Sequence, residues 1–546
     1  MSLLLGQATP MVHQAEDVER LHLHPRINVW NGLGTGKTCT VAWWLQRQWM
    51  KGMIDEAVVV LPSMCARDWE LTLCGLAWPD GLVDFYDCRP PDTEWLFEML
   101  TDGHRPLTGR LRVMVTTYAS MRKLLAQREG TSRWKVPMEQ ELLKHVRGRR
   151  IAAVYDEAQA AALQTSAQGS ACRAFASCCT AVASITATPI GNPLQMRLWG
   201  MTQLVRPDIL MRYEPDWISG GKKAKRSGKR GSFNAFKYRY AHLRDPQEDK
   251  RGFSMHRSYP VSIYQKKLER EILKPMASFT CRRRKQDCLD LPPKVYMTRY
   301  VRLGKKAERM MRDLIEDDRA ILDDGRAVVP DNILEEKLRT LELTGGWLAG
   351  EPVHTDKLAV LRDVFGEIDE AYGERAPVVV WCSRVRELLA AAMVAAREKP
   401  AEAQRRASLA QPSESTLDGK AYQSIVRFCE KRGVGIIHGP TGTRDRDRVQ
   451  ELWKAGKLRS VVAHPGVAGA GLNWQHVKAT VYYSPPIGTI SRQQSEDRVH
   501  RKGLTHDAVY YDLVVEGGPD EAVVAAHRGQ KNAATAMLNW LLGHIR

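Results

Sequence analysis

The stretch from Asn28 to Thr38 reads NVWNGLGTGKT. An apolar, β-branched run enters a turn through Gly32, Gly34 and Gly36, and a helical pattern over Thr38–Trp49 follows. Glycines at those positions let backbone N–H groups wrap a phosphate, and the helix N-terminus adds its positive end. Lys37 is placed to reach β- and γ-phosphates, Thr35 lies within the loop, and the Thr38 hydroxyl is placed to ligate Mg²⁺. Asn31 stands where the strict G-x-x-x-x-G-K-[ST] pattern has glycine.

Downstream, IAAVYDEAQ sets Asp156 and Glu157 at the tip of a hydrophobic strand. A strand-end Asp holds Mg²⁺ while the neighbouring Glu orients and deprotonates an attacking water; phosphoryl transfer needs mainly such positioning and charge neutralisation. Around these two motifs short strands alternate with helical patterns. The candidates are Ile27–Trp30, Ala57–Leu61, Arg112–Thr116, Ile151–Tyr155 and Ala183–Thr186. The rhythm returns at Val378–Cys382, Val434–His438, Ser460–Ala463, Thr480–Tyr483 and Val509–Leu513. Such alternation predicts an α/β fold with two parallel sheets covered by helices. The expected organisation is an ATP-binding lobe over 1–205, a helical, basic insertion and linker over 206–350, and a second lobe over 351–515. A soft insertion at about 397–420 and a terminal helix over 516–546 complete it.

The 546 residues suffice for several cores without disulfides or a structural metal. Hydrophobic residues at 43% and charged residues at 26% exclude a disordered or fibrous chain. No run approaches the length of a membrane span, and the start MSLLLGQATP lacks the charge of a secretory signal, so a soluble intracellular protein is expected. The eleven cysteines form no C-x-x-C pair and read as reduced thiols. A net charge of +18 favours a polyanionic partner, most often nucleic acid. The run GGKKAKRSGKRGS, Gly220–Ser232, is a flexible basic loop; Lys222, Lys223, Lys225, Arg226, Lys229 and Arg230 are its candidate nucleic-acid contacts.

Five ordered signatures between Gln14 and Leu513 together resemble the Swi/Snf-type ATPases within the superfamily-two helicases. Beyond the loop and DEAQ, these are the T-x-T-P match at Thr186, Thr188 and Pro189 with Asn192, the arginine-rich LKPMASFTCRRRKQDCLDLPPK from Leu273, and GAGLNW with QSEDRVHRKG. The last, Gln494–Gly503, is the most specific. The resemblance implies two tandem RecA-like lobes with ATP and Mg²⁺ between them, and DNA, duplex or forked and read without sequence preference, as substrate.

It further implies that Gln14 reads adenine, that Asp68–Glu70 belongs to a first nucleic-acid motif, and that Thr116, Thr117 and Tyr118 form the next. Gln494 would sit at the nucleotide, Arg498 and Arg501 would be arginine fingers, Gly471 would approach the nucleotide and Asn473 the nucleic acid. Two departures stand out. Gln159 replaces the usual histidine of DEAH, and His464–Pro465 replace a hydroxyl residue and a small one. With no reader module visible, the chain reads as a nearly bare motor of the kind found in bacteria and bacteriophages. It is expected as a monomer in the cytoplasm, or in the nucleus if eukaryotic, with replication, recombination or transcription proteins as partners. The leading expectation is a translocase on double-stranded DNA. A strand-separating or branch-migrating helicase, and a DNA-binding scaffold using ATP as a conformational ligand, are the alternatives.

Overall fold

The computed structural model describes residues 3–101, 109–129, 133–135, 141–163, 166–189, 196–212, 231–244, 259–317, 319–330, 333–410, 419–439, 441–468 and 474–529. The chain divides into two units, Met1–Leu289 and Asp290–Arg546.

In the first unit, seven strands form one parallel sheet: β1 (Arg26–Val29), β2 (Glu56–Leu61), β3 (Val83–Asp87), β4 (Leu111–Thr117), β5 (Ile151–Asp156), β6 (Ala181–Ile185) and β7 (Thr280–Cys281), in the order β7-β1-β6-β5-β2-β4-β3. Every residue of β2, β5 and β6 is buried, as a sheet covered on both faces requires. Burying a Val or Leu side chain contributes roughly 1.5 to 3 kcal/mol, so these apolar runs carry much of the stability. Helices α1 (Val12–Leu21), α2 (Lys37–Met50), α3 (Ala66–Leu71) and α4 (Tyr118–Leu125) place the motif residues described below. Trp43 and Trp44 on α2 are buried core, which leaves neither for base stacking.

The second unit holds six parallel strands: β8 (Lys294–Val301), β9 (Val378–Trp381), β10 (Val434–Ile437), β11 (Ser460–Ala463), β12 (Ala479–Tyr482) and β13 (Ala508–Val515), in the order β8-β13-β12-β9-β11-β10. Among its helices are α5 (Asp356–Tyr372), α6 (Pro400–Leu409), α7 (Lys420–Glu430), α8 (Thr489–Glu496) and α9 (Pro519–Arg528). Lys357 at the start of α5 donates to Asp520 at 2.6 Å, both side chains fully buried, which pins α9 to α5.

The two parallel sheets are those the alternating pattern predicts. Strands β3, β7 and β8 were not anticipated. The first, VDFYD, is too polar to read as a strand, and the second is only two residues long. The third, KVYMTRYV, lies within the 206–350 stretch, so that stretch supplies an edge strand to each sheet rather than helices alone. The soft segment near 397–420 contains α6, while 411–418 lie outside the described residues. The basic loop with Lys222, Lys223, Lys225, Arg226, Lys229 and Arg230 also lies outside them, as do Asn192, Gly471, Asn473 and residues 530–546. No helix among the described residues is long and apolar enough to cross a membrane.

Candidate functional site

In a parallel sheet all carboxyl ends lie along one edge, where open α/β folds bind ligands. The first unit brings five sequence motifs to that edge. The glycine loop follows β1, the Pro62–Leu71 segment follows β2, Thr117 ends β4 and Asp156 ends β5, with Thr186 just beyond β6.

Gly34 and Gly36 have φ of +79° and +75°, a left-handed backbone only glycine adopts without strain. A Cβ on Gly36 would also meet the Gln14 amide nitrogen at 2.3 Å. That amide donates to the Gly36 carbonyl at 3.0 Å, while the Gln14 oxygen accepts from the Met11 N–H at 2.9 Å. Gln14 is 2% exposed, so in this conformation it braces the loop and its polar atoms are engaged within the protein. The Thr35 hydroxyl and the Lys37 ammonium both donate to the Gly32 carbonyl, at 2.8 and 3.0 Å. The Thr38 hydroxyl is half-buried at the first turn of α2.

Asn31 departs from the strict pattern for a visible reason. Its amide donates to the fully buried Asp17 at 2.7 Å, and its oxygen accepts from the Arg283 N–H at 2.9 Å. The Arg283 guanidinium returns to Asp17 at 2.8 Å, and the Arg283 carbonyl accepts from Gly32 N–H. The arginine-rich segment is therefore laced to the glycine loop, with β7 paired in parallel to β1. A glycine at 31 would leave Asp17 short of a partner.

Asp156 is buried. Its oxygens accept from the Trp69 indole N–H and from the Glu157 backbone N–H, both at 2.9 Å. Burial, and then the Glu157 charge, push its carboxyl up to about 6, against the opposing pull of Trp69 and Lys37. Lys37 thus acts on Asp156 electrostatically although the two motifs are far apart in sequence. Glu157 has φ +51°, an uncommon conformation for a side-chain-bearing residue, seen here where the strand turns. Its carboxylate accepts from Gln159 at 2.7 Å, and the Gln159 oxygen accepts from the Thr186 hydroxyl at 2.6 Å. The residue that departs from DEAH thereby links the acidic pair to the T-x-T segment, whose Thr186 also accepts from Thr188 N–H.

Of the two expected nucleic-acid contacts on β4, Thr116 is buried and Thr117 half-buried. Thr116 is 0% exposed, its side chain in the interior of the covered sheet, and offers no surface to DNA. Thr117 caps α4 by accepting from the Ser120 N–H at 3.1 Å, a structural task. The Tyr118 hydroxyl donates to the Asp156 carbonyl at 2.7 Å. The sequence assigns no role at this site to Trp69, Asp17 or Arg283, although Trp69 lies within Asp68–Glu70 and Arg283 within the arginine-rich run from Leu273.

In the second unit, QSEDRVHRKG is divided between α8 and the turn after it. Gln494 is half-buried on α8, Arg501 is half-buried on the turn, and Arg498 is 5% exposed. Arg492, two residues before the motif, is held on several sides. Arg492 donates to Asp512 at 2.5 Å and to Glu496 at 2.7 Å, and lies 3.5 Å from the Tyr482 ring centre. Burial would raise the Glu496 carboxyl, but Lys294 and Arg492 more than reverse this and bring it to about 2. His464, at the hydroxyl position, accepts from Gly466 N–H through Nδ1 at 3.1 Å. That leaves Nε2 to donate to the Ser383 carbonyl, also at 3.1 Å. Burial holds this imidazole below its ordinary pKa, consistent with a neutral ring in that tautomer.

Residues 31–340 match the model of the SNF2-related domain, and residues 401–503 match that of the helicase conserved C-terminal domain. No curated protein matches by sequence. Among solved structures, the chain is similar to the Sulfolobus solfataricus SWI2/SNF2 ATPase core in complex with dsDNA, at 16% identity and TM-score 0.38, over 99% of this chain and 96% of that one. The Sulfolobus solfataricus SWI2/SNF2 ATPase core domain gives 16% and 0.36, over 97% and 90%. The DUF1998 helicase MrfA bound to DNA gives 10% and 0.47, over 94% of this chain and 47% of that one. All three scores fall below 0.5, and the assignment rests on the family models.

Proposed function

The chain belongs to the family of the SNF2-related domain, whose model covers more than half of it, and is a DNA-dependent ATPase; from that premise we propose that it uses ATP to move along double-stranded DNA without separating the strands. One observation carries the reading: Lys37 and Thr38, which open α2 after β1, share a sheet edge with Asp156 and Glu157 at the end of β5.

Backbone N–H groups of Gly34, Thr35 and Gly36 receive the phosphates, and Lys37 exchanges its bond to the Gly32 carbonyl for phosphate oxygens. The donor set suits Mg²⁺, since the Thr38 hydroxyl and the Asp156 carboxylate are hard oxygen ligands and the Glu157 charge beside the buried Asp156 favours a cation there. Thr38 and Asp156 would hold the ion, which supplies charge neutralisation across the phosphates when bound. Glu157 orients the attacking water and takes its proton, with Gln159 fixing the carboxylate. Gln494 and Arg501 join the same reaction; of the two candidate fingers, Arg501 has the exposure that reaching a phosphate requires.

DNA binding through backbone phosphates leaves movement largely independent of sequence. The basic residues Lys222 to Arg230 contribute to that grip. The test is ATP-driven displacement of a third strand from a triplex, run beside unwinding of a forked duplex. The proposal predicts that the third strand is released while the fork stays paired. Separated fork strands would assign the chain to unwinding or branch migration. Neither product, with no ATP hydrolysis, would make it a DNA-binding scaffold that uses ATP as a conformational ligand; hydrolysis with neither product would contradict movement along the duplex.

A further inference from the structure

Away from every motif discussed above, α6 and α7 of the second unit enclose a groove of about 590 Å³ lined by Arg406, Lys420, Arg427, Lys431 and Arg432, with Phe428 as its aromatic element. Among the described residues no carboxylate lines it. Lys420, Arg427 and Lys431 are spaced seven and four residues apart, which puts them on one face of a helix about 16 Å long. The Arg432 and Arg406 guanidiniums lie 3.9 and 4.5 Å from the centre of the Phe428 ring. Cation–π contact of this kind restrains planar groups before any ligand arrives.

The charge is segregated rather than paired. Arg406 reaches Glu398 at 3.4 Å, but Lys420, Arg427, Lys431 and Arg432 form no ion pair with a carboxylate among the described residues. Exposed arginines close by do: Arg405 with Glu402 at 2.7 Å, Arg448 with Glu430 at 3.0 Å and Arg397 with Asp369 at 3.2 Å. Like charges one turn apart, as in Arg427 and Lys431, work against helix stability. A solvated face would be expected to intersperse signs as its neighbours do. An array of cations with restrained guanidinium forks suits an extended run of phosphates, because the fork matches phosphate geometry and the charge releases counterions.

We propose that the α6–α7 groove is a second DNA-holding surface, which grips backbone phosphates outside the motif-bearing edge of the sheet. The proposal rests on the reading of the chain as a DNA motor, and adds to it a surface that tethers DNA without taking part in hydrolysis. Contact through phosphates makes it indifferent to sequence and sensitive to salt.

The experiment compares the wild-type protein with Arg427→Ala/Lys431→Ala/Arg432→Ala and with the charge-conserving Arg427→Lys/Arg432→Lys. Duplex affinity is measured across a salt series, together with ATP hydrolysis without DNA and at saturating DNA. The alanine variant is expected to flatten the slope of log affinity against log salt by about 2 to 3. It should raise the DNA concentration for half-maximal stimulation at least tenfold, leaving both limiting ATPase rates within about twofold of wild type. The lysine variant should keep most of the slope. An unchanged slope in the alanine variant overturns the proposal, and so does a fall in DNA-free ATPase with the slope retained, which marks a structural role. A wild-type protein whose ATPase ignores DNA would instead contradict the motor reading, so the two failures are separable.

Discussion

In the first unit, the residues that the motifs single out meet at one sheet edge: Asp156 accepts from Trp69 and feels the charge of Lys37, and Glu157 is tied through Gln159 to Thr186. In the second, the most specific motif mixes buried Ser495, Glu496, Arg498 and Val499 with half-buried Gln494 and Arg501, and just before it Arg492 is held by Asp512, Glu496 and the Tyr482 ring. The difference teaches that a matched signature mixes two kinds of residue. Some do chemistry, and others hold the strand ends where chemistry can occur. Sequence spacing does not separate them, because both must stay close together on the chain.

The sharpest way to break this comparison is to substitute the two candidate finger arginines separately. Arg501→Ala is expected to lower DNA-stimulated kcat by about 10³-fold or more, with the melting temperature held. Arg498→Ala is expected to lower the melting temperature instead, because its side chain is buried. Steady-state rates and thermal melts of both variants decide. If Arg498→Ala abolished turnover with stability intact, the inward reading of Arg498 would fail.

A second contrast concerns acid. The second unit holds His438, His464, His476 and His527 below the ordinary histidine value, against His24 in the first. For His438, burial and then Arg446 and His464 bring it down to about 4. A folded value below the unfolded one means that the unfolded chain binds the extra proton. Stability should therefore fall as pH drops below about 6.5 and level off near 4, by about 3 kcal/mol from this residue. Denaturant unfolding across that range should show the loss, and His438→Gln should shrink it. An unchanged pH slope in the variant would remove His438 from the account.

The smallest expected effect sharpens the first half of the comparison. Trp69→Phe removes one hydrogen bond to the Asp156 carboxylate, an interaction of about 1.5 to 3 kcal/mol. The Mg²⁺ concentration for half-maximal ATPase should rise about tenfold or more. An unaltered Mg²⁺ requirement would mean that Asp156 is positioned by the strand alone.

Much of this was legible in the residues, and for physical reasons. The β-branched runs of β2 and β5 announce covered parallel strands, and a left-handed glycine before Lys37 is a conformational demand that shows in the sequence. What stayed hidden were partners joined by folding rather than by spacing. Asp17 lies on α1 and Arg283 beyond β7, yet they meet at Asn31. Trp69 falls within the Asp68–Glu70 motif in sequence, and only the fold puts its indole N–H on Asp156. Thr116 misled for the opposite reason: its motif position suggests an exposed contact, while its place on a central strand buries it. The edge strand β8 escaped because KVYMTRYV is half-exposed and lacks an apolar run.

The central claim is that the first unit's sheet edge hydrolyses ATP in response to DNA. The most direct test is steady-state ATP hydrolysis without nucleic acid and with single-stranded DNA, duplex DNA and RNA, for the wild-type protein and Glu157→Gln. The account predicts strong stimulation of the wild type by duplex DNA, and a loss of about 10² to 10⁴-fold in the variant with nucleotide binding retained. Hydrolysis that is indifferent to duplex DNA, or a variant as active as the wild type, would contradict it.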